Sequence, residues 1–135
     1  MLLNNCKCKC MSAGDKYIYK WNDTTKLLNL SAPEYIASLM IWIKGIIDNE
    51  SIFPTKPNIP FEDNFINYIN DIYKRLFRVY AHIYYHHFEY FINIHAEPHL
   101  NTCFKHFMYF VKEFNLIQDE KQLEPLIDLI NKLVT

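Results

Sequence analysis

Two clusters of potential metal ligands stand out in this chain, one at the N-terminus and one near its middle. Thiolates and imidazoles are the usual ligands of structural zinc, which they hold in a closed, four-coordinate arrangement. The N-terminus has no apolar run long enough for a secretory signal, so the thiols are expected to stay reduced and to act as ligands. The sequence therefore predicts a metal site that ties two distant segments together. The candidate ligands are Cys6, Cys8, Cys10, His82, His86 and His87.

The spacing of the histidines leaves the ligand set open. His82 and His86 are four residues apart and would face the same way on an α-helix, whereas His82 and His87 would differ by about 140° around the axis. Spacing alone therefore favours His86. No H-E-x-x-H motif supplies a general base, which favours a structural metal over a catalytic one.

A second group of residues, Lys74-Arg75-x-x-Arg78, could bind phosphate. On a helix these three cations lie on one side, and two guanidinium groups with an ammonium group can hold a dianion. The alternative is an ordinary solvated helix face on which Asp71 pairs with Arg75 one turn away. Neither arginine belongs to the apolar stripe, so both are expected to be dispensable for folding.

Composition narrows the class of protein. The chain has 135 residues, half of them hydrophobic, so one domain with a sizeable core is expected over 1–135. It has only two glycines and no glycine-rich phosphate loop. A formal charge of −1 gives no general attraction to nucleic acid. The longest apolar stretch is too short to span a bilayer, and a cytoplasmic or nuclear protein is expected.

The elements that position these residues are mostly helical. Ser31 is a predicted N-cap, with Pro33 in the first turn and Glu34 completing a capping box. From 62 to 93 no proline or glycine interrupts an apolar repeat of helical period, so this is the longest predicted helix. The other predicted elements are a hairpin pairing Tyr17–Trp21 with Lys26–Leu30, helices over 32–48 and 100–114, a proline-rich loop over 53–61, and a last helix from about 123 to 133.

Four segments, in order, resemble the Mob/phocein family of kinase co-activators. The similarity extends from Met11 to about Leu133, and the string around Lys74 to Tyr84 is too specific to arise from helical periodicity. The segments are Met11-Ser12-Ala13-Gly14 with Lys16-Tyr17-x-Tyr19-x-Trp21, Ser31-Ala32-Pro33-x-Tyr35, Leu76-Phe77-Arg78-Val79-Tyr80-Ala81-His82-Ile83-Tyr84, and His99-Leu100-Asn101-Thr102-x-Phe104-Lys105-His106-Phe107.

The resemblance implies an all-α, Mob-type helical bundle with a small β-hairpin and a zinc-tethered N-terminal segment. It assigns Cys8, His82 and His87 as zinc ligands. The first cysteine of the family falls on Leu3, so Cys6 or Cys10 would stand in, and Cys6 is the residue we predict.

The resemblance also implies a function. Lys74, Arg75 and Arg78 match positions that bind phosphothreonine peptides in the family. The expected role is a non-catalytic co-activator or adaptor that binds an NDR/LATS-type kinase of the AGC class and a phosphorylated upstream kinase or scaffold. The alternative is a small zinc- or thiol-dependent enzyme. The family carries further N-terminal helices, so this chain is expected to be N-terminally truncated relative to it and to expose an apolar strip.

Overall fold

A computed structural model describes residues 6–134, and helices dominate it. The predicted helix-rich fold is confirmed, and two short strand pairs replace the single hairpin that was expected. Leu3 lies outside the described residues. The α-helices are α1 (Ala32–Ile47), α2 (Phe65–His86), α3 (Phe88–Asn93), α4 (Glu97–Glu113) and α5 (Ile127–Leu133), and a 3-10 helix, Glu120–Leu126, precedes α5.

Helix α1 begins as its sequence predicts. The Ser31 side chain accepts a hydrogen bond from the Glu34 backbone N–H at 3.3 Å, which satisfies one of the free donors of the first turn. The helix buries Tyr35 and Leu39 completely. Met40, the residue after Leu39, is 46% exposed.

The hairpins differ from the prediction in their pairing. Strand β1 (Ser12–Ala13) pairs with β2 (Tyr17–Ile18), and β3 (Trp21–Asn22) pairs with β4 (Leu27–Leu28), both antiparallel. We predicted that 17–21 would pair with 26–30. This is correct for Trp21, which pairs with Leu28, but Tyr17 and Ile18 pair with β1. The turn between β1 and β2 contains Gly14 at φ +70°, a conformation that glycine adopts without strain, and this tight turn returns the chain onto β1.

The long predicted helix is interrupted. Helix α2 ends at His86, and α3 starts at Phe88. His87 lies between them with φ −131° and ψ 6°, and its N–H still bonds to the Ile83 carbonyl at 2.8 Å. No proline or glycine marks this break, which is why sequence periodicity missed it.

Helix α4 starts three residues before the predicted Leu100, at Glu97. Pro98 occupies the first turn instead of preceding the helix, as its fixed φ and missing N–H allow. Helices α2 and α4 pack together through Phe77, Phe104 and Met108, all 1% exposed or less. This contact anchors α2 against α4.

Some large apolar side chains remain on the surface. On α1, Ile41 is 74% exposed and Ile47 is 51% exposed. Phe114, the residue directly after α4, is 58% exposed. None of the helices within residues 6–134 has both the length and the apolar character needed to cross a membrane.

Candidate functional site

Two thiols and two imidazoles converge where the N-terminal segment crosses the end of α2. The ligand atoms of Cys6, Cys8, His82 and His87 all lie within 4.8 Å of one another. The Nε2 atoms of His82 and His87 are 3.2 Å apart. Cys6 Sγ lies 3.7 Å from His82 Nε2 and 3.2 Å from His87 Nε2, and Cys8 Sγ lies 3.8 Å from His87 Nε2.

The four separations given above are close to those expected around a tetrahedral metal ion. Typical zinc–nitrogen and zinc–sulfur bond lengths put two nitrogens about 3.3 Å apart, and a sulfur and a nitrogen about 3.6 Å apart, around one tetrahedral ion. The nitrogen–nitrogen separation of 3.2 Å is close to the first figure, and the sulfur–nitrogen separations of 3.2 to 3.8 Å lie on both sides of the second. The four side chains are therefore close enough to hold a metal ion.

His82 is oriented by the strand that crosses it. Its Nδ1 lies 2.7 Å from the Ser12 carbonyl oxygen in β1, so Nδ1 carries the proton and Nε2 presents its lone pair to the cysteines. The side chain is completely buried. Burial lowers the pKa of His82 to about 4 and also lowers the pKa of His87, so both imidazoles are neutral at pH 7, as a metal ligand must be.

His86, which helical spacing favoured, is turned elsewhere. Its Nε2 accepts a hydrogen bond from the Gly14 N–H at 3.2 Å and lies 3.1 Å from Ser12 Oγ. The expectation from spacing was wrong because it assumed that the helix continues through His87. The helix ends at His86, and the changed backbone at His87 brings that imidazole to His82.

The cysteines have different surroundings. Cys6 is buried, and Cys8 and Cys10 are partly buried. Cys6 and Cys8 belong to the cluster of four ligands, and Cys10 lies outside it. Burial, with a further contribution from the neighbouring Cys6, raises the pKa of the Cys8 thiol to about 11. In the metal-free protein Cys8 is therefore protonated at pH 7, the opposite of an activated nucleophile.

The second candidate site is a cavity of about 630 Å³ beside α2. Lys74, Arg75 and Arg78 all line it, so the fold brings the three predicted cations to one cavity. Amide side chains form much of the remaining wall and offer both donors and acceptors. These amides belong to Asn22, Asn67, Asn70, Gln118 and Gln122.

Arg75 is built into the core, contrary to the expectation that it lies outside the packed face. It is only 8% exposed. Its guanidinium lies over the rings of Trp21 and Trp42, 4.7 and 4.3 Å from their centroids. Its Nε donates a hydrogen bond to Asp71 Oδ1 at 3.3 Å. This is the Asp71–Arg75 pair that we expected if these residues formed an ordinary solvated helix face.

The other two cations are more accessible. Arg78 donates from Nη1 to the Tyr35 hydroxyl at 2.9 Å and lies 5.0 Å from the Tyr19 ring centroid. Its buried Nε finds no acceptor among the described residues. The Lys74 side chain is 39% exposed, and its Nζ lies 3.3 Å from Asp71 Oδ1.

Sequence reasoning missed the aromatic residues that hold the arginines. Trp21 comes from β3 and Trp42 from α1, and neither is near Arg75 in sequence. A cation over an aromatic ring leaves no local sequence pattern when the partners are distant. Composition shows only that the chain has two tryptophans, and the structure places both of them against Arg75.

Fold and site together define a small helical domain with a clustered thiol–imidazole site and a separate cationic cavity. A family model described as the Mob1/phocein family matches residues 2–126, and the chain belongs to this family. The resemblance to the Mob/phocein family is thereby confirmed.

Relatives from distant eukaryotes agree with this membership. The chain is 51% identical over 129 residues to MOB kinase activator-like 1 homolog B of Dictyostelium discoideum, covering 93% of this chain and 59% of that protein. It is 47% identical to MOB kinase activator-like 1A of Arabidopsis thaliana, over 95% of this chain and 60% of the relative. The chain is 44% identical to MOB kinase activator 3C of Homo sapiens, and the match covers 93% of this chain and 59% of that protein. The chain thus spans about three fifths of the length of these relatives.

Proposed function

We propose that this chain is a non-catalytic adaptor that binds a phosphorylated partner through the cationic cavity and acts as a co-activator of an NDR/LATS-type kinase. One observation carries the proposal: Lys74, Arg75 and Arg78 line a single cavity. Membership of a family whose relatives are named kinase activators supports the kinase part. We place this role in the cytoplasm, with the nucleus as a further site.

The cavity suits a phosphoryl group for reasons of charge and hydrogen bonding. Arg78 lines the cavity and is only partly buried, and Lys74 is partly exposed on a flexible stem. A phosphothreonine carries about −1.5 to −2 charges at pH 7 and three acceptor oxygens, which can use both groups at once. Arg75, packed against the rings of two tryptophans, supplies a positive charge at the wall.

We further propose that the cluster of Cys6, Cys8, His82 and His87 binds zinc as a structural ion. Two thiolates and two imidazoles are the ligands zinc prefers, and four protein ligands leave no position for a reactive water. When bound, zinc would link the N-terminal segment to the end of α2. The raised pKa of Cys8 gives no support to the alternative of a thiol-dependent enzyme.

The phosphopeptide proposal is tested by calorimetry with a pool of nine-residue peptides that share a central phosphothreonine, and with the same pool unphosphorylated. We expect binding of the phosphorylated pool alone. Lys74→Ala should weaken that binding about tenfold, since it removes one charge-assisted hydrogen bond, and leave the melting temperature nearly unchanged.

Lys44→Ala is the matched control for Lys74→Ala. Lys44 is also an exposed helical lysine paired with an aspartate, Asp48, but it does not line the cavity. The Lys44→Ala variant should bind the phosphorylated peptides with the same affinity as wild type. Equal affinity of the protein for phosphorylated and unphosphorylated pools contradicts the proposal.

The kinase proposal has its own test. A purified NDR/LATS-type kinase is assayed with and without this chain, and we expect a stable complex and an increased phosphorylation rate. Absence of both a complex and a rate change would remove the co-activator role while leaving phosphopeptide binding as a separate question.

A further inference from the structure

Asp71 lies among the cations of the proposed phosphoryl site. Its Oδ1 is 3.3 Å from Lys74 Nζ and 3.3 Å from Arg75 Nε, and Asp71 itself lines the cavity. We propose that Asp71 is a built-in competitor of the phosphoryl ligand, which must take Lys74 from it in order to bind. This inference rests on the proposed function and concerns the control of affinity at that site.

The two ion pairs of Asp71 are not equally free to change. Arg75 is 8% exposed, and its guanidinium packs against the rings of both Trp21 and Trp42, so it has little freedom to move. The Lys74 side chain is 39% exposed and has four rotatable bonds. Exchange of a carboxylate for a phosphoryl group therefore takes place at Lys74, while Asp71 remains on Arg75.

The charges around the cavity show why this exchange limits affinity. Four cations face two carboxylates, so the cavity retains positive charge and still attracts an anion. A bound phosphoryl group would lose part of that attraction through competition for Lys74 and through repulsion by the Asp71 carboxylate. The charged lining residues are Lys20, Lys74, Arg75, Arg78, Asp71 and Asp119.

Asp119 provides the matched control. It lines the same cavity, but its Oδ1 accepts from the Lys121 backbone N–H at 3.1 Å, where it caps the 3-10 helix. Asparagine caps equally well, so Asp119→Asn removes one negative charge from the cavity without freeing a lysine. Asp71→Asn removes the same charge and also releases Lys74.

The experiment measures the dissociation constant of the phosphothreonine peptide pool for wild type, Asp71→Asn and Asp119→Asn. We expect Asp71→Asn to bind about three- to fivefold more tightly than wild type, the upper range for removing one partly exposed ion-pair competitor, and Asp119→Asn no more than about twofold more tightly. In a Lys74→Ala background the gain from Asp71→Asn should largely disappear.

The outcomes separate this inference from the proposed function. If neither wild type nor Asp71→Asn binds the phosphorylated pool, the phosphoryl site itself is overturned. If wild type binds and Asp71→Asn binds equally or more weakly, Asp71 only positions Arg75, and the competitor role is overturned alone. Equal gains in Asp71→Asn and Asp119→Asn also overturn it, since net charge would then explain the effect. Asp71→Ser, checked by its melting curve, replaces Asp71→Asn if that variant does not fold.

Discussion

Replacing Cys8 with serine is expected to lower the melting temperature of the zinc-loaded protein by about 10 °C, because losing one of four ligands costs about 3 kcal/mol of metal-linked stability. Cys8 belongs to the cluster that would join the N-terminal segment to α2. Chelation of the ion from the wild-type protein should lower the melting temperature in the same way. The measurements are circular dichroism melting curves and elemental analysis for zinc.

Cys10→Ser is the matched control for Cys8→Ser. Cys10 is two residues away and partly buried like Cys8, but it lies outside the cluster of four. Its replacement should leave both the zinc content and the melting temperature nearly unchanged. Cobalt substitution adds a spectroscopic readout, since a tetrahedral site with two thiolates absorbs strongly in the visible range, and Cys8→Ser should weaken that absorption. A wild-type protein that contains no zinc, binds no cobalt and melts identically with a chelator would rule out the metal site.

Replacing Arg75 with alanine is expected to destabilise the fold by about 3 kcal/mol, a cost typical of removing a buried side chain with partly desolvated cation–π contacts. The guanidinium packs against Trp21 and Trp42 and bonds to Asp71, so its loss leaves a cavity where β3, α1 and α2 meet. Urea unfolding followed by tryptophan fluorescence measures this directly, since both tryptophans report on the site.

Two further variants separate packing from charge at this position. Arg75→Met keeps an unbranched apolar stem against both rings and, compared with Arg75→Ala, should recover part of the lost stability. Lys74→Ala, the neighbouring cation on α2, should cost little, because its side chain is 39% exposed. If Arg75→Ala were as stable as wild type, the aromatic contacts would contribute nothing measurable to folding. The same result would restore the simpler expectation of a dispensable surface arginine.

The chain's residues alone determined the helical character and the chemical groups of both sites. The cap at Ser31 and the apolar repeats of α1, α2 and α4 are local patterns, so they could be predicted before any tertiary contact was known. The cysteines, histidines and basic triad were likewise found by residue type and spacing. Membership of the Mob1/phocein family came from motifs along almost the whole chain and is confirmed.

Tertiary structure decided which of these side chains lie together in a site and which are buried or exposed. His87 instead of His86 joins the thiols because α2 ends at His86 and the backbone at His87 is no longer helical. Arg75 is buried because tryptophans from β3 and α1 arrive from distant parts of the chain. Local propensity describes contacts within a few residues of one another, whereas these contacts form only when separate elements fold together, so no local pattern could specify them.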